Sequence, residues 1–207
     1  MAGIPESHAK CSCASQGAIS GGESGLTLVE LLVTMGLIVF IAVMGLAASF
    51  NPNGWDEHVR LKAAANELFF NMHKARSGAV KENKKWAIVF ETSNPNRYHI
   101  CSDSGDGNWS TLSDNTIVQT IDMTSYKHGT GFGAGTATKS ATNPPGAFPG
   151  GFDFVSFGNN VLIFHPSGLP ASSGYCYLSN DRKEAYAVGA MTSGVIMVKN
   201  WNRSAWQ

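Results

Sequence analysis

The chain carries no excess of charge of either sign: 15 Lys and Arg stand against 15 Asp and Glu in 207 residues, and the four types together make up 14% of it. A domain that grips nucleic acid through phosphate shows a strongly basic balance or clustered Lys and Arg, and that footprint is missing. Metal-ligand spacing is missing too. The six histidines, His8, His58, His73, His99, His128 and His165, form no His-Glu-x-x-His or comparable pattern, and the four cysteines include no Cys-x-x-Cys. Ser167-Gly168 lacks the residues of a nucleophile elbow, and Cys101 falls inside a strand-like segment, so a thiol catalyst built with His99 or His165 is not expected. Without such a constellation the chain is expected to be no enzyme and to carry no cofactor and no metal.

What the sequence does have is a run of apolar residues from 26 to 50 in which Glu30 is the single ionisable side chain. As a helix the run would extend about 37 Å, enough for a hydrocarbon core of about 30 Å. An uncompensated acid near its start costs about 2–3 kcal/mol even on lenient insertion scales, so Glu30 calls for a partner. Gly25 stands directly before the run. A secretory signal peptide is cut after a shorter apolar segment of about 7–15 residues, whereas a cut after Gly25 would leave the apolar helix on the mature protein.

Asn51-Pro52-Asn53-Gly54 then breaks or bends the helix. From Trp55 to Lys85 an amphipathic pattern returns, with Leu61, Ala65, Leu68, Met72, Ala75 and Ala79 at alternating steps of four and three. This stripe reads as the side that docks on a core. Lys81, Lys84 and Lys85 read as a helix C-terminal turn, where cations suit the dipole, rather than as a phosphate patch.

Beyond it come short segments rich in branched and aromatic residues, at 86–91, 97–101, 116–121, 152–157, 161–164, 175–178, 185–188 and 195–198. They predict antiparallel strands and an α+β fold, with a turn at Asn94-Pro95-Asn96. Residues 126–151 are nearly all Gly, Thr, Ser, Ala and Pro and predict a long surface loop, pinned by Phe132 and Phe148. Asp103-Ser104-Gly105-Asp106-Gly107-Asn108-Trp109 has some of the look of a calcium loop. Gly105 and Gly107 occupy ligand positions, however, and Asp114 stands where a bidentate Glu belongs, so a tight turn is expected.

Gly25 followed by Leu26-Thr27-Leu28-Val29-Glu30, opening an uninterrupted apolar helix, resembles the processing site of type IV prepilins and type II secretion pseudopilins. The resemblance implies cleavage by prepilin peptidase after Gly25, N-methylation of Leu26, and pairing of the Glu30 carboxylate with a neighbouring subunit's terminal amine during assembly. The family's fold implies one long helix, a membrane half and an amphipathic half, packed on antiparallel sheet. Accordingly residues 1–25 are expected to be a cleaved leader, 26–50 a transmembrane and assembly helix, 51–85 its amphipathic continuation, and 86–207 a β-rich pilin-like domain. Leu26 replaces the commoner Phe or Met. The leader is long, with Lys10 its one basic residue against Glu6 and Glu23, which leaves a downstream start or another orientation device as alternatives.

Cleavage would leave 14 basic and 13 acidic residues, and Cys101 and Cys176 as the only cysteines. In an oxidising compartment that pair is either a disulfide or two buried thiols. Further on, His73-Lys74-Ala75-Arg76-Ser77-Gly78-Ala79-Val80 is similar to the "ARSEAI" helix end of the GspH/FimT branch, with Gly78 in place of Glu. Residues 161–168 are similar to its late strand and Pro-x-Gly turn, and Ser193-Gly194-Val195-Ile196-Met197 stands where its terminal Gly-Arg strand lies.

The expected function is a minor structural subunit of a type II secretion pseudopilus or a type IV pilus. It would pass through the bacterial inner membrane once with its domain in the periplasm, and end in a periplasmic pseudopilus or an extracellular pilus. Its partners would be other subunits, the peptidase and the assembly platform. The alternative is a DNA- or surface-binding minor pilin. Nucleic acid is not expected as a partner, because Val195, Ile196 and Met197 stand where the arginines that would grip phosphate belong.

Overall fold

The computed structural model describes residues 27–49, 52–93, 96–109, 112 and 115–207, with backbone alone for 44–49 and 52–55. Gly25, Leu26 and most of the predicted turn at Asn94-Pro95-Asn96 lie outside the described residues. The chain forms two compact units, Met1–Phe50 and Asn51–Gln207.

In the first unit, helix α1 spans Leu28–Ser49. Thr27 starts it: its Oγ1 accepts the Glu30 N–H at 3.3 Å and its carbonyl accepts the Leu31 N–H at 3.1 Å. The Thr-x-x-Glu spacing is that of a capping box, with the Thr half formed. Every described side chain of α1, 28 to 43, is exposed. Among the described residues no helix is long and apolar enough to cross a membrane. The described side chains of α1 cover about 24 Å of helix, against a hydrocarbon core of about 30 Å.

In the second unit, helix α2 spans Pro52–Glu82. A proline is tolerated there because the first N–H groups of a helix have no intrahelical acceptor. Leu61, Ala65, Leu68, Met72, Ala75 and Ala79 are each 0% exposed, so the predicted stripe is the docked face. At the far end Asn83 turns to a φ of 51°, and the Lys84 N–H reaches back to the Ala79 carbonyl at 3.3 Å. This is the long bond of a Schellman cap, and it ends the helix where the basic turn was predicted.

Two antiparallel sheets follow. One has strand order β3-β2-β1-β5, with β1 at Trp86–Glu91, β2 at Arg97–Ser102, β3 at Thr116–Asp122 and β5 at Val161–Phe164. The other has order β4-β6-β7-β8, with β4 at Gly131–Phe132, β6 at Gly174–Ser179, β7 at Ala185–Ala190 and β8 at Ile196–Asn200. Alternation along the strands divides their side chains. Ile88, Phe90, Tyr98, Ile100, Leu162, Phe164, Leu178 and Val188 join the α2 stripe in one core. Tyr175, Tyr177 and Ala187 face the other way, where residues from 141 to 154 cover them. The start of α2 is tied to the β6–β7 turn by the ion pair of Arg182 with Glu57 at 2.8 Å, and His58 Nδ1 stands 3.4 Å from Glu184 Oε2.

Two predicted elements are corrected. Residues 152–157 form no strand. Phe154 sits at a φ of 67°, and one bridge, Val155 to Cys176, is the only ladder contact. The aromatics that suggested a strand are packing pieces: Phe152 lies 5.5 Å from Phe148, and Phe157 stacks on Phe90 at 6.0 Å. Conversely, the loop at 126–151 contains β4. Its pins act as expected, Phe132 edge-on against Phe90 and Phe148 edge-on against Tyr177.

Candidate assembly site

Of the residues expected to direct assembly, Gly25 and Leu26 lie outside the described residues, and Glu30 stands in the first turn of α1 with its side chain exposed. The position is favourable for a carboxylate, because unpaired N–H groups gather at a helix N-terminus. Thr27 holds one of them. Its part is legible in the Thr-x-x-Glu spacing, a capping signal that overlaps the cleavage-site residues. Thr34 returns its hydroxyl to the Leu31 carbonyl at 3.0 Å, so this polar side chain needs no outside partner. The remaining described side chains of α1 are apolar on all sides.

The cysteines are not brought together. Both are free and buried. Cys101 turns outward from β2 into a small cluster with Ala87, Val89, Trp109 and Val161, whereas Cys176 turns from β6 into the main core. In this structure the two thiols face different clusters on different sheets. Burial pushes the Cys101 thiol up to about 11. His99 Nδ1 is engaged at 2.8 Å with Thr120 Oγ1.

The stretch from Asp103 closes on itself. Asp103 Oδ1 accepts the N–H groups of Gly105 at 2.8 Å and Gly107 at 3.1 Å, and Asp106 Oδ1 accepts that of Asn108 at 3.0 Å. These are Asx-type turns, which use the carboxylates on their own backbone. Among the described residues no group of three or more His, Cys, Asp or Glu is placed to hold a metal ion.

The stretches from 73 to 80, 161 to 168 and 193 to 197 meet at one end of the second unit. Arg76 on α2 donates from Nη1 to the Gly194 carbonyl at 3.0 Å, in the turn between β7 and β8. A Cβ built on Gly168, at a φ of 78°, would stand 3.0 Å from Val80 and 3.4 Å from Arg76 Nε. Gly194, at a φ of 86°, is 3.1 Å from Leu169 by the same measure. Two glycines in the left-handed region thus let two turns close over one helical arginine. Gly78 has its own reason: a Cβ there would lie 2.6–2.7 Å from ring carbons of Trp86, whose Nε1 donates to Glu82 at 3.2 Å.

The family model described as type II transport protein GspH matches residues 64–194. No curated protein and no solved structure matches the chain. The matched span runs from within the docked stripe of α2 to Gly194, and takes in the first two converging stretches and the start of the third. It covers more than half of the sequence, and the chain belongs to the type II transport protein GspH family.

Proposed function

We propose that the chain is a minor pseudopilin of a type II secretion system, made as a prepilin and assembled into a filament through its N-terminal helix. The family is one of structural, envelope-associated secretion components rather than of enzymes, which supports the coarse part of this reading. Residues 1–25 form the leader, 26–50 the inserted helix, 51–85 its amphipathic continuation and 86–207 the β-rich domain. Prepilin peptidase cuts after Gly25, and Leu26 becomes the methylated N-terminus.

The observation that carries the proposal is the character of α1. Its described side chains are exposed all round and, Glu30 excepted, uncharged, and the helix precedes a domain with its own complete core. Such a helix is stable in lipid or in a bundle of like helices. In the bilayer the Glu30 carboxylate lacks a counter-charge; in the filament a neighbour's Leu26 amine supplies one, and the helix moves from lipid to filament down that gradient.

Sequencing the N-terminus of protein extracted from membranes tests this. The expected first residue is Leu26 carrying one methyl group. A mature chain that begins beyond α1, or that retains residues before Leu26, overturns the reading.

A further inference from the structure

We infer that the outward face of the β4-β6-β7-β8 sheet carries a binding site for the free C-terminus of an extended polypeptide, its carboxylate on Lys199 and its last apolar side chain between Met191 and Met197. The site lies wholly within the second unit, so it stands or falls apart from the filament reading.

A cavity of about 580 Å³ opens on that face. Tyr175, Met191 and Met197 give it apolar walls, and Asn143 and Ser173 line it with polar groups. The floor is specifically built. The Tyr175 ring lies over Gly189 so closely that a Cβ there would be 2.4 Å from a ring carbon. Gly is unfavourable inside a strand, and its presence in β7, between two partner strands, lets the ring lie flat on the sheet. The Tyr175 hydroxyl also reaches Met197 Sδ at 3.4 Å. Unbranched methionines adapt their walls to side chains of differing shape.

Lys199 supplies the charge. Its Nζ donates to the Ala141 carbonyl at 2.8 Å and stands 5.2 Å from the centre of the Tyr175 ring. An ammonium has three donors, and these contacts use one of them. Among the described residues no Asp or Glu lines the cavity, so the site presents a cation without an anion beside apolar walls. A carboxylate attached to an apolar group matches it, and charge-assisted hydrogen bonds give the recognition its strength.

A neighbouring cavity of about 350 Å³ shares Thr142, Asn143 and Lys199 with the first and runs on to Trp201 and Trp206. The hydroxyl and amide side chains of Thr142, Asn143, Ser156 and Ser173 along the wall suit the N–H and C=O groups of a peptide and leave an alkyl chain against polar surface, which selects a polypeptide over a fatty acid.

The full-length protein in lipid nanodiscs, with 13C-labelled methionine methyls, provides the test. The probes are a blocked tetrapeptide ending in Leu with a free carboxylate, the same peptide as its C-terminal amide, and decanoate. The acid is expected to shift the Met191 and Met197 methyl signals saturably, with the amide at least about 10-fold weaker. Lys199→Met should abolish the preference for acid over amide, and Lys199→Arg should keep it. Equal binding of acid and amide by the wild type, which needs no variant to interpret, overturns the proposal. So does the absence of a saturable shift, or decanoate binding as tightly as the acid.

Discussion

At the residue scale, opposing effects have to be weighed by size. In an isolated helix Gly78→Ala would gain about 1 kcal/mol. Here the new methyl would stand 2.6–2.7 Å from Trp86, and overpacking of that kind costs about 1–3 kcal/mol. The expected outcome is a net loss of about 1 kcal/mol in urea unfolding, reversed to a gain when Gly78→Ala is made together with Trp86→Leu. The sequence displayed the departure at Gly78 but not its cause, because the ring that demands it lies beyond the end of the helix. Buried titrating groups set a second expectation. Burial raises the Cys101 thiol from 9.0 to about 11 and the Tyr177 hydroxyl from 10.0 to about 12. Both are neutral in the fold and ionise earlier when unfolded. Their stabilisation is complete below about pH 9 and is lost as pH rises towards 12. Unfolding midpoints should fall steadily over that window, and Cys101→Ala should flatten the fall between about 9 and 11.

At the scale of elements, α2 shows what periodicity can and cannot reveal. The stripe from Leu61 to Ala79 was legible because a helix that covers a core must repeat its apolar residues every three or four positions. Leu68 is 0% exposed and Phe70 is 66% exposed, although both are large and apolar and lie two residues apart. Leu68→Ala is expected to cost about 2–5 kcal/mol, and Phe70→Ala within about 0.5 kcal/mol, in equilibrium unfolding. Strands β1, β2, β3, β5, β6, β7 and β8 were legible from short branched and aromatic runs. The segment at 152–157 has the same composition, yet its apolar groups are used one by one, Phe152 over Tyr177 and Phe157 over Phe90. Composition reports that a side chain will be buried; it does not report whether the backbone beside it finds a ladder. β4 escaped for the converse reason: Gly131-Phe132 offers one apolar side chain, and its pairing with Leu178 and Ser179 is a long-range choice.

At the scale of the whole molecule, the two units divide the work. The hydrophobic clusters draw on residues from Leu61 onward, and none needs α1. A chain beginning at Asn51 is therefore expected to fold with a single cooperative transition, measured by circular dichroism, and to remain in solution. The family relation was legible in the stretches around Arg76, Gly168 and Gly194, whose meeting only the fold displays. The role proposed for Glu30 is then separable from stability, because the hydrophobic clusters of the described residues include none from α1. Replacing Glu30 by Val removes an acid whose insertion costs about 2–3 kcal/mol, so membrane insertion should be unchanged or improved. Under the proposed function lateral assembly should nevertheless fail, since the carboxylate proposed to answer a neighbour's amine is gone. Glu30→Gln separates charge from hydrogen bonding: it keeps a side chain able to accept the Leu26 ammonium but lacks the opposite charge, and should incorporate at a level between wild type and Glu30→Val. Sheared filaments probed for the subunit give the measurement, with the membrane fraction as reference. Wild-type incorporation of Glu30→Val would show that the helix assembles by packing alone.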